Sequence, residues 1–472
     1  MRARKSQYGP RRRLRAIAGI LLLGAVAAGL LLGGFRLADF LRTVGNLSPA
    51  AVGKQVDPPV GSIPYKLQHE QQVNILLLGY GGAENDAPYL TDTLMVVSID
   101  PATHRMMEVS VPRDLMVHID YGTGKSLFNK INVAYSVGAD DASYPGKKAE
   151  YRGKTGGGKL AMATVSKVTG LQFDGFVAVD FKAFRDVVDA LGGVQVCLDT
   201  PLDDNRYPNY HNGYVAGGIH YPAGCQNVNG EQALQIARSR HAVQPEQASD
   251  FGRARRQQLL VNSIRRKATS VNAVAKAPQL MDALQKNFVS SLDLADLNAL
   301  YGFEGKLPDT AIGHFGITQD DLVQRFYLQR GGCGDIYADV LCPLDPSFGV
   351  MHAFFANLFI DPKVAAEKAP IRIDNASAGV EDLGPRVSNV LKPLGFLVEN
   401  PQRRRTQAQS FVYDLSGGKY PRTAQWLATY FGATLVTPAT ATPGAGAAAV
   451  PAGDGVVVVL GRDYALRWTG QG

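Results

Sequence analysis

The sequence predicts an α/β protein, in which a mixed sheet flanked by helices in α-β-α layers is followed by a small C-terminal α/β sandwich domain and preceded by one N-terminal transmembrane helix. Three observations support this prediction. Short apolar runs typical of buried strands alternate with amphipathic helical segments from about residue 73. The composition shifts near residue 371, where a second alternation begins. A run of twenty residues near the N-terminus has no charge.

The N-terminal segment predicts a membrane anchor. Residues 1–15 contain seven Lys and Arg and no acidic residue, and residues 16–35 are apolar and uncharged. A helix of this length crosses the hydrocarbon core of a bilayer. The basic flank predicts a single-pass protein of the cell membrane, with a cytoplasmic N-terminus and an extracytoplasmic bulk. A cleaved signal peptide is the alternative, but no convincing cleavage site precedes Leu37.

The net charge does not predict a nucleic-acid partner. The chain of 472 residues has a formal charge of +7, from 49 Lys and Arg against 42 Asp and Glu. The basic tail accounts for all of that excess, and no helix-turn-helix pattern accompanies it. We therefore expect no nucleic acid among the partners.

The extracytoplasmic part is long enough for two domains after a stalk at residues 36–70. The first predicted domain spans residues 71–366. Its predicted strands are 73–79, 93–100, 106–114, 173–180 and 194–199, and its first predicted helices are 132–136, 160–169 and 181–194. A polar, glycine-rich insert at 137–158 is expected to form a mobile flap near the site.

The second predicted domain spans residues 370–466. Its predicted strands are 371–377, 395–400, 408–414 and 455–461, and its predicted helices are 380–393 and 422–433. Residues 437–453 are rich in Ala, Pro, Gly and Thr and predict a disordered loop. No cluster of ionisable residues stands out, which favours binding or scaffolding over catalysis.

Four cysteines predict disulfide bonds in an oxidising compartment. They are Cys197, Cys225, Cys333 and Cys342. Three pairings are possible, and proximity in sequence favours Cys197–Cys225 and Cys333–Cys342. No CxxC or HxxxH spacing supports a zinc site.

The stretch 236–258 has the strongest functional pattern, with five arginines: Arg238, Arg240, Arg253, Arg255 and Arg256. Arg238 and Arg240 would point to the same side of an extended backbone. A helix beginning at Asp250 would place Arg253, Arg256 and Gln257 on one face. Converging guanidinium groups bind phosphate oxygens well. A solvated basic surface is the alternative.

Polar residues at the ends of the apolar strands strengthen the phosphate interpretation, because open α/β sheets bind ligands there. Asp92 lies between two threonines before a strand and could hold Mg²⁺, or cap a turn. Arg113 ends the third strand, and Lys130 precedes a helix. Together these residues suit a diphosphate with a metal ion, and no Ser-His-Asp or Cys-His set competes.

The motifs, taken in order, resemble the LytR-CpsA-Psr family of bacterial envelope proteins. The matching segments are NILLLG (74–79), TDTLMVVSID (91–100), VSVPRDL (109–115), KINVAY (130–135), FDGFVAVDFKAFRDVVDALGGV (173–194), NGEQALQIARSRH (229–241) and DFGRARRQQ (250–258). The region after residue 370, with IRIDNAS, GFLVEN and VVVVLG, resembles the LytR C-terminal domain.

The resemblance implies an Mg²⁺-dependent enzyme that transfers a glycopolymer from a polyprenyl diphosphate carrier to peptidoglycan, forming a phosphodiester. The implied catalytic residues are Asp92, Arg113, Arg238 and Arg240. The implied diphosphate-binding residues are Arg113, Lys130, Arg238, Arg240, Arg253, Arg256 and Gln257, with Arg255 pointing away. The lipid would lie in an apolar tunnel walled by Phe176, Val179, Phe184 and Val188, although ordinary core is the alternative for these four.

The sequence departs from the family at one position. Many members have an acidic residue directly after LLLG, and this chain has Tyr80-Gly81-Gly82 there. Either Asp86 reaches the metal or Asp92 holds it with diphosphate oxygens alone. A polyprenyl diphosphate phosphatase and a non-catalytic envelope regulator or lipid-binding protein are the alternative functions.

Overall fold

The computed structural model describes residues 57–470, except for 84, 86, 210–212, 249, 271–287, 305–306, 319–321, 327–339, 344 and 438–449. The predicted basic tail, transmembrane helix and most of the stalk lie outside the described residues. In the described part of the chain, no helix has both the length and the apolar character needed to cross a bilayer.

The strands of the first domain are β1 Val73–Tyr80, β2 Thr91–Asp100, β3 Arg105–Ser110, β4 Met116–Gly122, β5 Lys125–Lys130, β6 Gly175–Asp180, β7 Val194–Leu198, β8 Leu202–Asp204, β9 Ile219–Tyr221, β10 Gly224–Val228, β11 Phe288–Ser290, β12 Ile312–Gly316, β13 Val323–Phe326 and β14 Val340–Pro343. Its helices are α1 Ile63–Gln68, α2 Val133–Ala139, α3 Gly156–Thr169, α4 Phe181–Ala190, α5 Gly230–Arg238, α6 Asp250–Ser270, α7 Leu294–Glu304, α8 Gly349–Ala356 and α9 Pro362–Ala365, with 3-10 helices at Ala149–Tyr151 and Asp309–Ala311.

The elements of the C-terminal domain are β15 Pro370–Asn375, α10 Leu383–Leu391, a 3-10 helix Lys392–Leu394, β16 Leu397–Glu399, β17 Phe411–Asp414, α11 Pro421–Phe431, β18 Thr434–Val436, β19 Val456–Leu460 and α12 Arg462–Trp468. They form a five-stranded sheet in the order β16-β15-β19-β17-β18. Residues 438–449 of the predicted disordered loop lie outside the described residues.

A mixed sheet flanked by helices organises the first domain, as predicted. Its order is β11-β6-β1-β2-β3-β12, with β1 parallel to β6 and antiparallel to β2. The apolar run of β1 is central in this sheet and almost completely buried, because both faces of the strand are covered.

The two faces of the sheet pack against different cores, because side chains alternate along a strand. The closed face includes Leu76, Leu94 and Phe176 and packs against α2 and α3. The open face includes Ile75 and Val177 and lies under α4, α5 and α6. The closed-face core continues into the C-terminal domain, where Trp468 of α12 packs near Met351 of α8.

The insert at 137–158, which was predicted to form a mobile flap, includes the end of α2, a 3-10 helix and the start of α3, and it is partly buried. The Lys147 ammonium is fully buried and donates to the carbonyls of Val137 (3.0 Å) and Gly138 (2.6 Å). A Cβ on Gly138 would overlap the Gly156 backbone. The glycines therefore allow α2 and α3 to cross closely.

A disulfide joins β7 to β10 through Cys197 and Cys225, as predicted. Cys342 is also disulfide-bonded. Cys333 lies outside the described residues, so the Cys333–Cys342 pairing stays a prediction.

Candidate active site

An apolar cavity lies between the open face of the sheet and α4, α5 and α6, and its volume is about 320 Å³. Its apolar wall consists of Ile75, Leu77, Leu78, Val97, Ile99, Met106, Val177, Val179, Phe181, Phe184, Val187, Leu234, Ala237, Leu260, Val261, Ile264, Leu292 and Leu300. Thr93 and Ile99 both line it and are six residues apart on β2, so the cavity extends for about 20 Å along that strand.

Two of the four predicted tunnel residues line this cavity. Val179 and Phe184 contribute to its wall. The prediction is wrong for Phe176, which is on the closed face, since it is an odd number of residues from Val179. It is also wrong for Val188, which is fully buried in the core around α4 but does not reach the cavity.

Near one edge of the sheet the cavity is lined by polar side chains, and we call this part of the cavity the mouth. Its residues are Asp92, Asp180, Arg238 and Gln257. β1 and β6 end there and the antiparallel β2 begins there, so Asp92 and Asp180 come from neighbouring strand ends. Away from the mouth, Glu108 and Arg265 also touch the wall, and Glu108 accepts from His314 Nδ1 at 3.0 Å. Apart from Glu108 and Arg265, the cavity is therefore apolar along its length, and it is charged at its mouth.

Arg238 is the last residue of α5, a helix that begins with a capping box of Asn229 and Gln232. Its guanidinium lies 4.6 Å from the Phe181 ring centroid and 5.7 Å from that of Tyr207. The backbone at Arg238 is therefore helical and not extended as predicted, and the chain leaves the helix at Ser239. The two aromatic rings orient the guanidinium at the mouth.

A chain of ion pairs at this edge of the sheet joins Asp92, Arg113, Asp114 and Lys130. Arg113 Nη1 donates to Asp92 Oδ1, and Arg113 Nε lies 3.3 Å from Asp114 Oδ2. Lys130 Nζ donates to Asp114 Oδ1 at 2.7 Å. Arg113 and Lys130, which were both predicted to bind the diphosphate, therefore lie near Asp92. Their positive charges are partly neutralised by the carboxylates of Asp92 and Asp114.

Arg256 does not line the cavity, so the structure does not bring it together with the other residues predicted to bind the diphosphate. Its side chain is 1% exposed and donates to the carbonyls of Ile236 (2.8 Å), Gln247 (2.9 Å) and Ser239. Burial, with a contribution from Arg253, lowers the pKa of Arg256 to about 10. Arg256 is thus a clamp that ties the end of α5 to the following loop.

Arg253 is 4% exposed and does not line the cavity either, so its role at the diphosphate stays a prediction. Gln257, one turn further along α6, does line the mouth. Arg255 points away, as expected, and pairs with Asp199 at the surface. The helix begins at Asp250 as predicted, but the packing of α6 decides which of its polar residues reach the site.

Asp204 holds the loop after Arg238, and the sequence analysis missed it. Its Oδ2 accepts from Ser239 Oγ (2.8 Å) and from the backbone N–H groups of Arg240 and His241 (both 3.2 Å). Burial opposes its ionisation, but these hydrogen bonds and that of Arg206 N–H together lower its pKa. Arg240 itself follows this anchored turn and does not line the cavity. No motif marks Asp204, because its partners come from a distant loop.

No three His, Cys, Asp or Glu side chains cluster as a metal site within the described residues. Asp86, the predicted second metal ligand, lies outside them. Asp92 is placed at the mouth with 28% of its side chain exposed. The buried Asn132 nearby has a side-chain oxygen without a hydrogen-bond partner. Burial raises the pKa of Tyr135, which stacks on Tyr80, to about 12, so that it is a neutral phenol at pH 7.

Comparison with known proteins matches both domains of the chain to protein families. Residues 46–323 match the LytR_cpsA_psr family, and residues 368–464 match the domain described as LytR cell envelope-related transcriptional attenuator. Two curated relatives are named polyisoprenyl-teichoic acid–peptidoglycan teichoic acid transferase TagU. The protein from Bacillus mycoides is 31% identical over 48% of this chain and 62% of its own length. The protein from Oceanobacillus iheyensis is 29% identical over 63% of this chain and 83% of its own length.

Among solved structures, Bacillus subtilis TagV has a TM-score of 0.44 and 24% identity, over 61% of this chain and 96% of its own. The structure described as TagT bound to LI-WTA has a TM-score of 0.40 and 22% identity, over 62% of this chain and 91% of its own. The family match covers more than half of the sequence and includes every residue of the mouth. The chain belongs to the LytR-CpsA-Psr family.

Proposed function

We propose that this protein transfers a glycopolymer from a polyprenyl diphosphate carrier to peptidoglycan and forms a phosphodiester bond. The observation that carries the proposal is the apolar cavity of about 320 Å³ with Arg238, Asp92 and Gln257 at its mouth. A polyprenyl diphosphate has a hydrocarbon chain and an anionic head. The cavity offers apolar and charged groups in the same order.

The cavity wall suits the hydrocarbon chain. Burial of apolar surface stabilises such a complex by about 25 cal/mol for each Å² removed from water. The stretch of about 20 Å along β2 accommodates part of a polyprenyl chain next to the head group. The remaining chain would lead toward the membrane, in which we propose that residues 16–35 anchor the protein with its bulk outside the cell.

The mouth suits the diphosphate. Arg238 can donate two parallel hydrogen bonds to phosphate oxygens, and Arg113 and Lys130 add positive charge beside Asp92. A bound Mg²⁺ would neutralise further charge on the diphosphate, and Asp92 would be one of its ligands. Positioning and charge neutralisation are the main contributions that a protein makes to phosphoryl transfer.

The transfer forms one P–O bond and breaks one, and the proton of the attacking hydroxyl passes to the leaving phosphate. A hydroxyl oxygen of peptidoglycan bonds to the phosphorus on the sugar side of the diphosphate. The phosphoanhydride bond breaks, and polyprenyl monophosphate leaves with the lipid. Arg238 and Arg113 stabilise the charge that develops on the transferring phosphoryl group and on the leaving phosphate.

The relatives support this reaction class, since the TagU proteins are named for teichoic acid transfer to peptidoglycan. The matches extend over the first domain, so we propose the same carrier and acceptor class here without specifying the polymer. The C-terminal domain, residues 368–464 of the second family match, has no assigned step in this proposal.

The test is a transfer assay with the full-length protein in detergent, a lipid-linked diphosphate oligosaccharide, Mg²⁺ and peptidoglycan fragments. Mass spectrometry should detect oligosaccharide joined to peptidoglycan through phosphate, together with polyprenyl monophosphate. Arg238→Ala should reduce the rate by a factor of about 10² to 10³. Arg255→Ala is the matched control, because Arg255 pairs with Asp199 at the surface, and it should retain the wild-type rate.

The products distinguish the alternatives. Release of phosphorylated oligosaccharide to water without a peptidoglycan product would identify a diphosphatase. Lipid binding without turnover would identify a binding protein. Equal rates for wild type and Arg238→Ala would show that the mouth is not the active site.

A further inference from the structure

A carboxyl group at the end of β6 lies against Gly82, the second of the two glycines that follow β1. Tyr80, directly before the two glycines, pairs with Asp180 across β1 and β6. Gly82 has a φ of 76°, and a Cβ at this position would lie 2.9 Å from Asp180 Oδ2. A larger residue at Gly82 would therefore displace the Asp180 carboxyl group.

Asp180 belongs to the mouth. It ends β6, lines the cavity together with Asp92 and Arg238, and is 6% exposed. Its Oδ1 accepts from Ala183 N–H at 2.8 Å and so caps α4. This hydrogen bond fixes the carboxyl group with Oδ2 directed toward Gly82.

A second observation at the same edge of the sheet is the orphaned oxygen of Asn132. The residue is 5% exposed and precedes α2, yet its side chain does not cap the helix. Its Oδ1 has no hydrogen-bond partner among the residues that the structure describes. The Asn132 carbonyl accepts from Thr91 N–H (3.3 Å), and its N–H donates to the Arg113 carbonyl (3.2 Å). Asn132 is thus held beside the Asp92–Arg113 pair, with a buried acceptor that the fold does not use.

We propose that Asp180, together with Asp92 and the side-chain oxygen of Asn132, holds the divalent cation of the transfer site. Asp180 takes the place of the acid that is absent at residues 80–82. This inference rests on the proposed function and names the residues that its cation would contact.

The chemistry of the donor set fits Mg²⁺. All three groups offer oxygen, which Mg²⁺ prefers, and protein sites for this ion use one or two carboxylates and complete the shell with phosphates and water. Two carboxylates balance the charge of a divalent cation. An unpaired buried amide oxygen also costs free energy, which coordination would offset. Asp92 can contribute Oδ2, since Oδ1 accepts from Arg113.

The test measures cation binding directly, with Mn²⁺ as the probe and electron paramagnetic resonance of the full-length protein in detergent. Asp180→Asn keeps an N-cap acceptor for α4 and removes only the charge. It should weaken Mn²⁺ binding about tenfold or more, as should Asp92→Asn. Asn132→Ala should weaken it by a smaller factor. Asp186→Asn is the matched control, since Asp186 is on the same helix and pairs with the exposed Lys182, and it should bind Mn²⁺ as wild type does.

Wild-type Mn²⁺ affinity in Asp180→Asn would overturn the proposal, and so would the absence of Mn²⁺ binding by the wild type. If the proposed transfer function is wrong but the cation site is right, the two experiments give a different pattern. In that case Mn²⁺ binding is lost in Asp180→Asn, but the wild type forms no peptidoglycan product. Conversely, product formation by a protein that binds no Mn²⁺ would leave the transfer function intact and remove the cation site.

Discussion

The two faces of the six-stranded sheet are made from the same strands but packed in different ways. On the closed face, the Phe176 ring lies so near α3 that a Cβ on Gly158 would overlap it. On the open face, Val179 and Phe184 border a cavity of about 320 Å³. Protein interiors are normally close-packed, and an apolar void costs stability. We therefore interpret the closed face as the part that stabilises the fold and the open face as the part that binds the ligand.

The largest expected effect is on the closed face. Gly158→Val places a branched side chain against the Phe176 ring, where no space exists. It should lower the free energy of unfolding by about 3 kcal/mol or more, because overpacking forces the backbone of α3 to shift. Denaturant unfolding of the purified protein measures this loss. Unchanged stability would mean that the closed face is not tightly packed.

Arg256→Ala tests the clamp at the rim of the open face. The substitution leaves the buried carbonyls of Ile236, Ser239 and Gln247 without their donor. The free energy of unfolding should fall by about 2 to 3 kcal/mol. Arg255→Ala, one position earlier and at the surface, should change it by less than about 0.5 kcal/mol. Equal effects of the two variants would contradict the assignment of Arg256 as a clamp.

Val179→Trp fills part of the cavity on the open face and replaces none of the charged residues of the mouth. Transfer should slow by a factor of about 10 to 100, because the indole takes the space of the lipid chain, and stability should change by less than about 1 kcal/mol. Val179→Ala is the control and should keep most of the activity, since it enlarges the cavity. A rate for Val179→Trp equal to that of the wild type would show that the lipid does not enter here.

The smallest expected effect is a pH dependence that comes from Asp204. Its pKa in the folded protein is lowered below the ordinary value of 3.8, against the effect of burial, by the hydroxyl of Ser239 and backbone N–H groups. A lowered pKa means that ionised Asp204 stabilises the fold above pH 3.8 and that this stability is lost as the pH falls below it. Asp204→Asn should thus be less stable than wild type at pH 7.

The difference between wild type and Asp204→Asn should narrow as the pH drops below 3.8. Unfolding curves between pH 3 and pH 7 measure it. A difference that is constant across this range would show that the charge of Asp204 does not hold the loop before Arg240.

The sequence was sufficient for the features that depend on local pattern. Apolar runs located β1, β2 and β6, a polar residue beside a strand located Asp92, and the arginine-rich stretch located Arg238. Features that depend on tertiary packing were not predictable. Alternation separates Phe176 from Val179 onto opposite faces, but only the packed helices decide which face keeps a cavity.

Arg256 and Asp180 illustrate the same limit at the site. The arginine has the spacing of a phosphate ligand, but the fold turns it toward backbone carbonyls of a loop that is remote in sequence. Asp180 lies at the mouth because it pairs with Tyr80 across β1 and β6, and these two residues are a hundred positions apart in the chain. Neither residue could be placed before the pairing of β1 with β6 and the packing of α6 were known.

The central claim is that the open face, and not the closed face, holds the lipid carrier. A prenyl diphosphate with a photoreactive diazirine on its hydrocarbon chain tests it most directly, with the full-length protein and peptide mapping by mass spectrometry. We expect labels on open-face residues such as Val179, Phe184, Leu260 and Ile264, and competition by unlabelled prenyl diphosphate. Labels on α3 or Phe176, or labelling that competitor does not reduce, would contradict the account.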